Sequence, residues 1–159
     1  LHFDSVRSIF ASRSVRRLGR RSGNGGVIAM FSGSCACGEI RFSISEKPKF
    51  LAECHCSRCR KVGATPFARI ASRTFELLSG RDKIKAFPPV PPFMYPRMFC
   101  VVCGTSLGEL TSGEEMFPIP ANCFDDDLGL PIRFHDHVAD KPAWVTSPDT
   151  VTKFERNPA

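Results

Sequence analysis

The stretch GSCACGEIRFSI, residues 33–44, contains two patterns that recur along the chain. Over residues 39–44 polar and apolar side chains alternate, which predicts a β-strand with one buried face. Cys35 and Cys37 stand just before this strand, and an extended backbone would point both sulfurs to one face. The stretch therefore predicts a strand that follows a turn bearing two thiols with a common direction.

The rest of the sequence predicts further short strands and little helix. The 14 Phe, 13 Pro and 12 Gly residues favour strands and turns. Outside the N-terminal segment, no helical periodicity extends beyond about ten residues. The proline-rich residues 88–96 cannot cross the interior of a sheet, so we expect a rigid loop or a sheet edge there. These patterns predict an all-β domain with its thiols on the turns between strands. Its other strands are predicted at residues 66–72, 74–80, 82–87, 97–100, 105–110, 116–124 and 131–138.

The positive charge of the chain is concentrated near its beginning. Residues 1–29 contain six arginines and one aspartate, a net charge of +5, whereas the whole chain carries +6. The remainder therefore gives no support for nucleic-acid binding. The composition of this segment resembles a transit peptide, but we favour a dispensable basic extension, disordered or the product of a misplaced start before Met30. The folded domain is expected over residues 30–159. No apolar run approaches the roughly 18 residues of a membrane span, so no membrane partner is expected.

Seven of the eight cysteines fall into three tight groups. Such closely spaced pairs make poor disulfide bridges, whereas converging thiolates suit a soft cation. We interpret them as metal ligands in a reducing compartment, the cytoplasm, with disulfides as the less favoured alternative. Zinc is the expected ion because it is redox-inert and accepts tetrahedral sulfur ligation. The groups are Cys35/Cys37, Cys54/Cys56/Cys59 and Cys100/Cys103.

Spacing alone leaves two divisions of these thiols open. The first is a single ribbon site built from the C-x-x-C pairs Cys56/Cys59 and Cys100/Cys103, with the other thiols as bystanders. The second is a closed set of four thiolates and an open set of three. The C-x-C pairs favour the second division, because bystanders would not require sulfurs that point to one face. A set of three thiolates would leave one coordination position for a substrate.

Four stretches resemble the glutathione-dependent formaldehyde-activating enzymes and their centromere-protein-V-like relatives. They are GSCACGEIRF, CHCSRCRKVGATPFA, MFCVVCGTSL and ANCFDDDLGLPIRFHDHVADKPAW, in consistent order and spacing from Gly33 to Trp144. The resemblance implies a β-tent fold of folded meanders, similar to zinc ribbons, that holds two zinc ions on its turns. It also implies two ligand sets: a structural zinc bound by Cys35, Cys37, Cys100 and Cys103, and a catalytic zinc bound by Cys54, Cys56 and Cys59.

The activity implied by the resemblance is that of a carbon–sulfur lyase similar to S-(hydroxymethyl)glutathione synthase. A small thiol, glutathione, would occupy the fourth position of the open zinc, where metals deprotonate coordinating thiols, and would attack formaldehyde. The expected partners are thus a small thiol and a small aldehyde. A non-catalytic zinc module that binds a protein is the alternative, and a fourth protein ligand at the open site would favour it. A nucleic-acid-associated zinc protein is the third hypothesis, which the charge distribution does not support.

Several further residues are expected to have structural roles. His55 lies between two ligands and points to the opposite face, so we expect packing or a hydrogen bond. Arg58, Arg60 and Lys61 are expected to be solvated turn charges, with the binding of a substrate carboxylate as the alternative. Packing or turn roles come first also for Cys123, residues 125–127, His135 and Trp144, and Arg97 is ambiguous.

Overall fold

The structure, a computed structural model, describes residues 30–110 and 113–158, and within them the chain forms eleven strands and one short α-helix. The predicted all-β class is confirmed. The extension predicted over residues 1–29 lies outside the described residues. Four 3-10 turns span Ser72–Thr74, Arg81–Lys83, Ala121–Cys123 and Val138–Asp140. The helix α1 spans Ser57–Lys61, and the strands are β1 Phe31–Ser34, β2 Arg41–Ile44, β3 Phe50–Cys54, β4 Pro66–Ala71, β5 Phe75–Ser79, β6 Ile84–Phe87, β7 Arg97–Cys100, β8 Ser106–Gly108, β9 Met116–Pro120, β10 Ile132–Asp136 and β11 Thr152–Lys153.

The strands of the described residues form three open sheets. Two sheets are antiparallel, with the orders β1-β2-β5 and β6-β7-β8. The third has the order β11-β10-β3-β4-β9 and is mixed, because β10 runs parallel to both β3 and β11. This parallel pairing places Asp136, the last residue of β10, opposite Cys54, the last residue of β3. A late part of the chain therefore meets the first cysteine of the CHCSRC motif.

One hydrophobic core receives side chains from all three sheets. Phe42 of β2, Ile70 of β4, Ile119 of β9 and Leu107 of β8 are buried in the same cluster. The Phe42 ring also packs edge-on against Phe124, with ring centroids 5.3 Å apart. Burying each large apolar side chain stabilises the fold by about 1.5–3 kcal/mol. The core thus holds the sheets in fixed relation and positions the turns that carry the thiols.

Residues 88–96 connect β6 to β7 as a loop without strand, as their prolines predict. Strands β1, β3 and β11 were not predicted from the sequence. The expectation that Trp144 packs in the domain is wrong, because its residue is 80% exposed. It lies in the stretch between β10 and β11, where the chain makes turns and does not lie against the core.

Candidate metal centre and its cavity

Four cysteines converge around the turn between β7 and β8. The Sγ of Cys37 lies 3.4 Å from that of Cys35 and 3.8 Å from that of Cys100. Together with Cys103 these residues provide four sulfurs that all lie within 4.8 Å of one another. Sulfurs on one tetrahedral zinc lie roughly 3.8 Å apart, given Zn–S bonds of about 2.3 Å. The four sulfurs therefore fit a single zinc ion.

The β7–β8 turn has the backbone that a zinc knuckle requires. Gly104 has a φ of 74°, a conformation that glycine adopts readily, and its N–H donates to the carbonyl of Cys100 at 2.9 Å. Desolvation by burial raises the pKa of Cys103, but hydrogen bonds with Thr105 outweigh this effect and lower the pKa to about 6. Burial raises the pKa of Cys37 to about 12. The thiol of Cys103 thus ionises readily, whereas that of Cys37 needs a nearby cation to lose its proton.

The other three cysteines converge where β3 passes into α1. Cys54 is the last residue of β3, and Cys56 is the N-cap of the helix. The Cys59 N–H donates a hydrogen bond to the Cys56 Sγ, with a distance of 3.4 Å between nitrogen and sulfur. All three residues are buried, and their sulfurs lie within 4.8 Å of one another. Among residues 30–110 and 113–158, no further Cys, His, Asp or Glu has a ligand atom within 4.8 Å of all three sulfurs. The chain therefore brings together three thiols here, in contrast to four at the other cluster.

Protons are shared unevenly among these three thiols. Hydrogen bonds from Cys54 and Cys59 lower the pKa of Cys56 well below its ordinary value. The hydrogen bonds with Cys56 and Cys59, together with burial, raise the pKa of Cys54. The neighbouring thiols thus favour negative charge on the sulfur of Cys56 and disfavour it on that of Cys54. Ionising all three sulfurs requires a cation between them, so the donor set fits a soft metal ion.

The three sulfurs line a cavity of about 630 Å³, a volume within the range of about 300–1,000 Å³ typical of small-molecule sites. Phe67 of β4 and the loop residues Pro92, Phe93 and Met94 provide apolar walls. Charged residues complete the lining, and arginines outnumber carboxylates by four to two. This balance favours an anionic ligand. The charged residues are Arg58, Arg69, Arg97, Arg156, Glu109 and Asp136.

Arg97, which the sequence left ambiguous, connects the charges of the cavity. One guanidinium nitrogen, Nη2, donates to the Sγ of Cys59 at 3.3 Å, and Nη1 donates to Glu109 Oε1 at 3.3 Å. A cation beside a sulfur favours its thiolate form. It also compensates the buried carboxylate of Glu109, although burial still raises the pKa of that group. Arg97 is therefore an electrostatic partner of the three-cysteine cluster.

Arg58 attaches the proline-rich loop to α1. Its Nη1 donates to the carbonyl of Tyr95 at 2.6 Å, and its guanidinium lies 4.3 Å from the centroid of the Phe93 ring. Burial, followed by the charge of Arg97, lowers the pKa of Arg58. Arg60 instead donates to the carbonyl of His55 at 3.1 Å. Of the three basic residues expected as solvated turn charges, only Arg58 lines the cysteine cavity.

Asp136 is a cavity residue that sequence reasoning missed. It is 7% exposed, and its Oδ1 is buried without a hydrogen-bond partner. Burial raises the pKa of its carboxyl, while a hydrogen bond with Cys54 opposes the shift. The available signal was its position at the end of a predicted strand, but only the parallel pairing with β3 brings it to Cys54.

His55 points away from the sulfurs, as expected. Its Nε2 lies 2.8 Å from Nδ1 of His135, and the planes of the two rings are nearly parallel, with an angle of 7°. Both residues are buried. Glu53 Oε2 lies 3.8 Å from the same nitrogen of His135. The hydrogen bond between the two rings accounts for both buried histidines and ties β10 to the turn after β3.

Comparison with protein families matches residues 30–140 to the family described as glutathione-dependent formaldehyde-activating enzyme. The chain belongs to this family. A crystal structure of a Rhodobacter sphaeroides protein shares the fold of this family member, with a TM-score of 0.51 and 20% sequence identity. The match covers 60% of this chain and 89% of that one. Comparison with curated proteins gives no significant match.

The family description supports an enzymatic role with small-molecule substrates of the glutathione and formaldehyde type. Both cysteine clusters are compatible with zinc. Among the described residues, no helix is long and apolar enough to cross a membrane.

Proposed function

We propose that the protein is a zinc-dependent carbon–sulfur lyase that adds glutathione to formaldehyde, an activity like that of S-(hydroxymethyl)glutathione synthase. The observation that carries this proposal is the set of three buried sulfurs, Cys54, Cys56 and Cys59, that line a cationic cavity of about 630 Å³. The family description supports the choice of thiol and aldehyde. In this proposal the two substrates are the partners of the site, and a reducing compartment such as the cytoplasm keeps the thiols free.

We assign two zinc ions to each chain. The four sulfurs of Cys35, Cys37, Cys100 and Cys103 would hold a structural ion, because four thiolates complete a tetrahedral shell. Cys54, Cys56 and Cys59 would hold the second ion, for which their proton-sharing arrangement is suited. When bound at a site with three protein ligands, zinc supplies a position at which an incoming thiol loses its proton readily.

The residues of the cavity would bind and orient the thiol. Glutathione carries two carboxylates, and Arg69 and Arg156 provide cations along the wall of this cavity alone. Arg97 is already engaged with Cys59 and Glu109, so its role would be to hold the sulfur cluster. The apolar wall formed by Phe67 and Phe93 would limit the access of water to the reacting atoms.

The reaction joins the thiol sulfur to the carbonyl carbon of formaldehyde, and the proton of the thiol ends on the former carbonyl oxygen. No oxidant or further reactant is needed. Asp136 Oδ1, buried at the cavity without a partner, can accept a hydrogen bond from the hydroxyl that forms. Because Asp136 also forms a hydrogen bond with Cys54, it would connect the three-cysteine cluster to the hydroxyl of the product.

The test is an exchange experiment with zinc-loaded protein, formaldehyde and a panel of thiols. Magnetisation-exchange NMR measures how fast glutathione and its hydroxymethyl adduct interconvert. We expect acceleration above the spontaneous rate, and at least a 100-fold loss of this acceleration in Cys56→Ser with the fold retained. The matched control is Cys123→Ser, because Cys123 is a buried thiol outside both clusters. If no thiol reacts faster with protein while the three-cysteine site contains zinc, the enzyme proposal fails and a non-catalytic zinc module replaces it.

A further inference from the structure

A second cavity, of about 590 Å³, lies beside the cysteine cavity. Three residues, Arg58, Phe93 and Arg97, line both cavities and so form a shared wall. None of the seven clustered cysteines lines the second cavity, although Gly104 of the zinc knuckle does. Its volume falls within the range of about 300–1,000 Å³ found for small-molecule sites. The cavity is therefore large enough for a ligand of its own.

The lining of this cavity combines apolar walls with one sign of charge. Phe87, Val90 and Phe99 contribute apolar surface, and Phe87 and Val90 are each more than half exposed. Its charged residues are Arg58, Lys61 and Arg97, and no acidic residue lines it. By comparison, the cysteine cavity has two carboxylates that offset part of its positive charge. The lining of the second cavity thus carries positive charge that no carboxylate offsets, and this favours an anionic ligand.

Three buried polar atoms without a hydrogen-bond partner belong to residues that line this cavity. Among the described residues, six buried side-chain nitrogen or oxygen atoms have no hydrogen-bond partner, and three of them belong to lining residues of the second cavity. These atoms are Nε of Arg58, Nε of Arg97 and Oγ of Ser106, and the two arginines belong to the wall shared with the cysteine cavity. All three can donate a hydrogen bond. Buried polar groups without partners are rare in native structures, and such a group requires an explanation. A ligand with acceptor oxygens would satisfy several of them together.

We propose that the second cavity binds a small organic carboxylate with an apolar body, such as an aryl- or alkyl-substituted short acid. Its carboxylate would face Arg58, Lys61 and Ser106, and its apolar body would pack against Phe87, Val90 and Phe99. A polar zwitterion or a bare inorganic anion would leave the apolar walls uncovered, and a neutral apolar molecule would leave the donors unpaired. The site is separate from the cysteine cavity and does not depend on the reaction proposed there.

The test uses 3-phenylpropionate as the probe and its neutral amide as the matched ligand, each titrated into zinc-loaded full-length protein by calorimetry. We expect the carboxylate to bind one site per chain at least tenfold more tightly than the amide. Val90→Trp should weaken binding at least tenfold, because Val90 lines only the second cavity and a larger ring would fill it. Met94→Trp is the control, because Met94 lines only the cysteine cavity, and it should leave the affinity unchanged.

Ser106→Ala provides an independent variant that removes a donor without filling space, and it should weaken the carboxylate several-fold while leaving the amide unaffected. Saturating glutathione should not displace the probe. Equal affinity for the amide, unchanged binding in folded Val90→Trp, or loss of binding in Met94→Trp would each overturn the proposal. Complete displacement by glutathione would also overturn it, because the probe would then occupy the thiol site. None of these outcomes depends on catalytic turnover, so the two proposals fail separately.

Discussion

Replacing Cys100 by Ser gives the most direct test of the four-cysteine cluster. Cys100 is fully buried on β7, and its cluster joins the turn before β2 to the β7–β8 hairpin, so a bound ion links two sheets. Structural zinc supplies about 10–16 kcal/mol of folding free energy, or about 2.5–4 kcal/mol per sulfur if four ligands share it equally. A buried hydroxyl without a partner adds a cost of about 1–3 kcal/mol. We therefore expect Cys100→Ser to lose roughly 3.5–7 kcal/mol of folding free energy, a large part of the roughly 5–15 kcal/mol that stabilises a typical domain.

The measurement is thermal unfolding combined with zinc analysis. At about 2–4 °C per kcal/mol for a chain of this size, the melting temperature should fall by roughly 7–28 °C, and the zinc of this cluster should be removed at a lower chelator concentration. The matched control is Cys123→Ser. Cys123 is also buried, and its thiol donates to the Ser106 carbonyl at 3.2 Å, a hydrogen bond that a serine hydroxyl can keep. The control should melt close to the wild type with unchanged zinc. Unchanged zinc and melting temperature in Cys100→Ser, or an equal loss in both variants, would refute the reasoning.

Three further outcomes are expected. Graded chelation should remove zinc from Cys54, Cys56 and Cys59 before the four-cysteine ion, and titration with a colorimetric chelator should show two separate steps; simultaneous loss would contradict the division of ligands. Gly108→Ala would place a Cβ 2.3 Å from the carbonyl oxygen of Pro118 and should abolish soluble expression or lower the melting temperature sharply. Gly63→Ala, at the same φ of 66° but in open space, should cost only about 1–2 kcal/mol, and similar melting of the two variants would contradict this. Deleting residues 1–29 should leave zinc content and melting temperature unchanged, because that segment lacks a periodic apolar face, and differential scanning calorimetry would reveal any contribution it makes.

The strands that sequence analysis found and missed differ in how they meet the core. Strand β2 was predicted because Phe42 and Ile44 give a clear apolar signal, and both are fully buried. Strand β1 was missed because Gly33, a poor strand former, lies at its centre. A Cβ at Gly33 would lie 2.1 Å from the Phe42 ring. The close packing of β1 on Phe42 therefore requires a glycine, and that glycine weakens the strand pattern in the sequence. Strand β3 was missed because its fully buried central residue, Ala52, gives only a weak apolar signal.

The candidate site combines residues that are close in sequence, which could be predicted, with residues that are distant in sequence, which could not. The cysteine spacings are local, so the sequence alone indicated metal ligands, although it left their grouping open. The charged lining could not be predicted, because Arg97, Glu109 and Asp136 come from different parts of the chain and no spacing rule connects them. Trp144 shows the opposite error, since an aromatic residue inside a matching motif was expected to pack and is exposed.

The parallel pairing of β10 with β3 has a consequence for the order in which the protein can assemble during synthesis. All four sulfurs around Cys100 precede β10 in the chain, so they leave the ribosome first and this cluster can close before β10 is available. The edge of β3 next to Cys54 must wait for β10 and Asp136. At about 5–20 residues per second, the ribosome needs roughly 4–15 s to pass from Cys59 to Asp136. During that interval the strand edge beside Cys54 would be uncovered, and the three thiols would be more accessible to a metal donor and equally to oxidants. Nascent chains would then bind the structural ion early and would bind the second ion only during the interval before β10 is added. Slower translation after residue 59 would lengthen this interval and so change the metal content without any change in sequence.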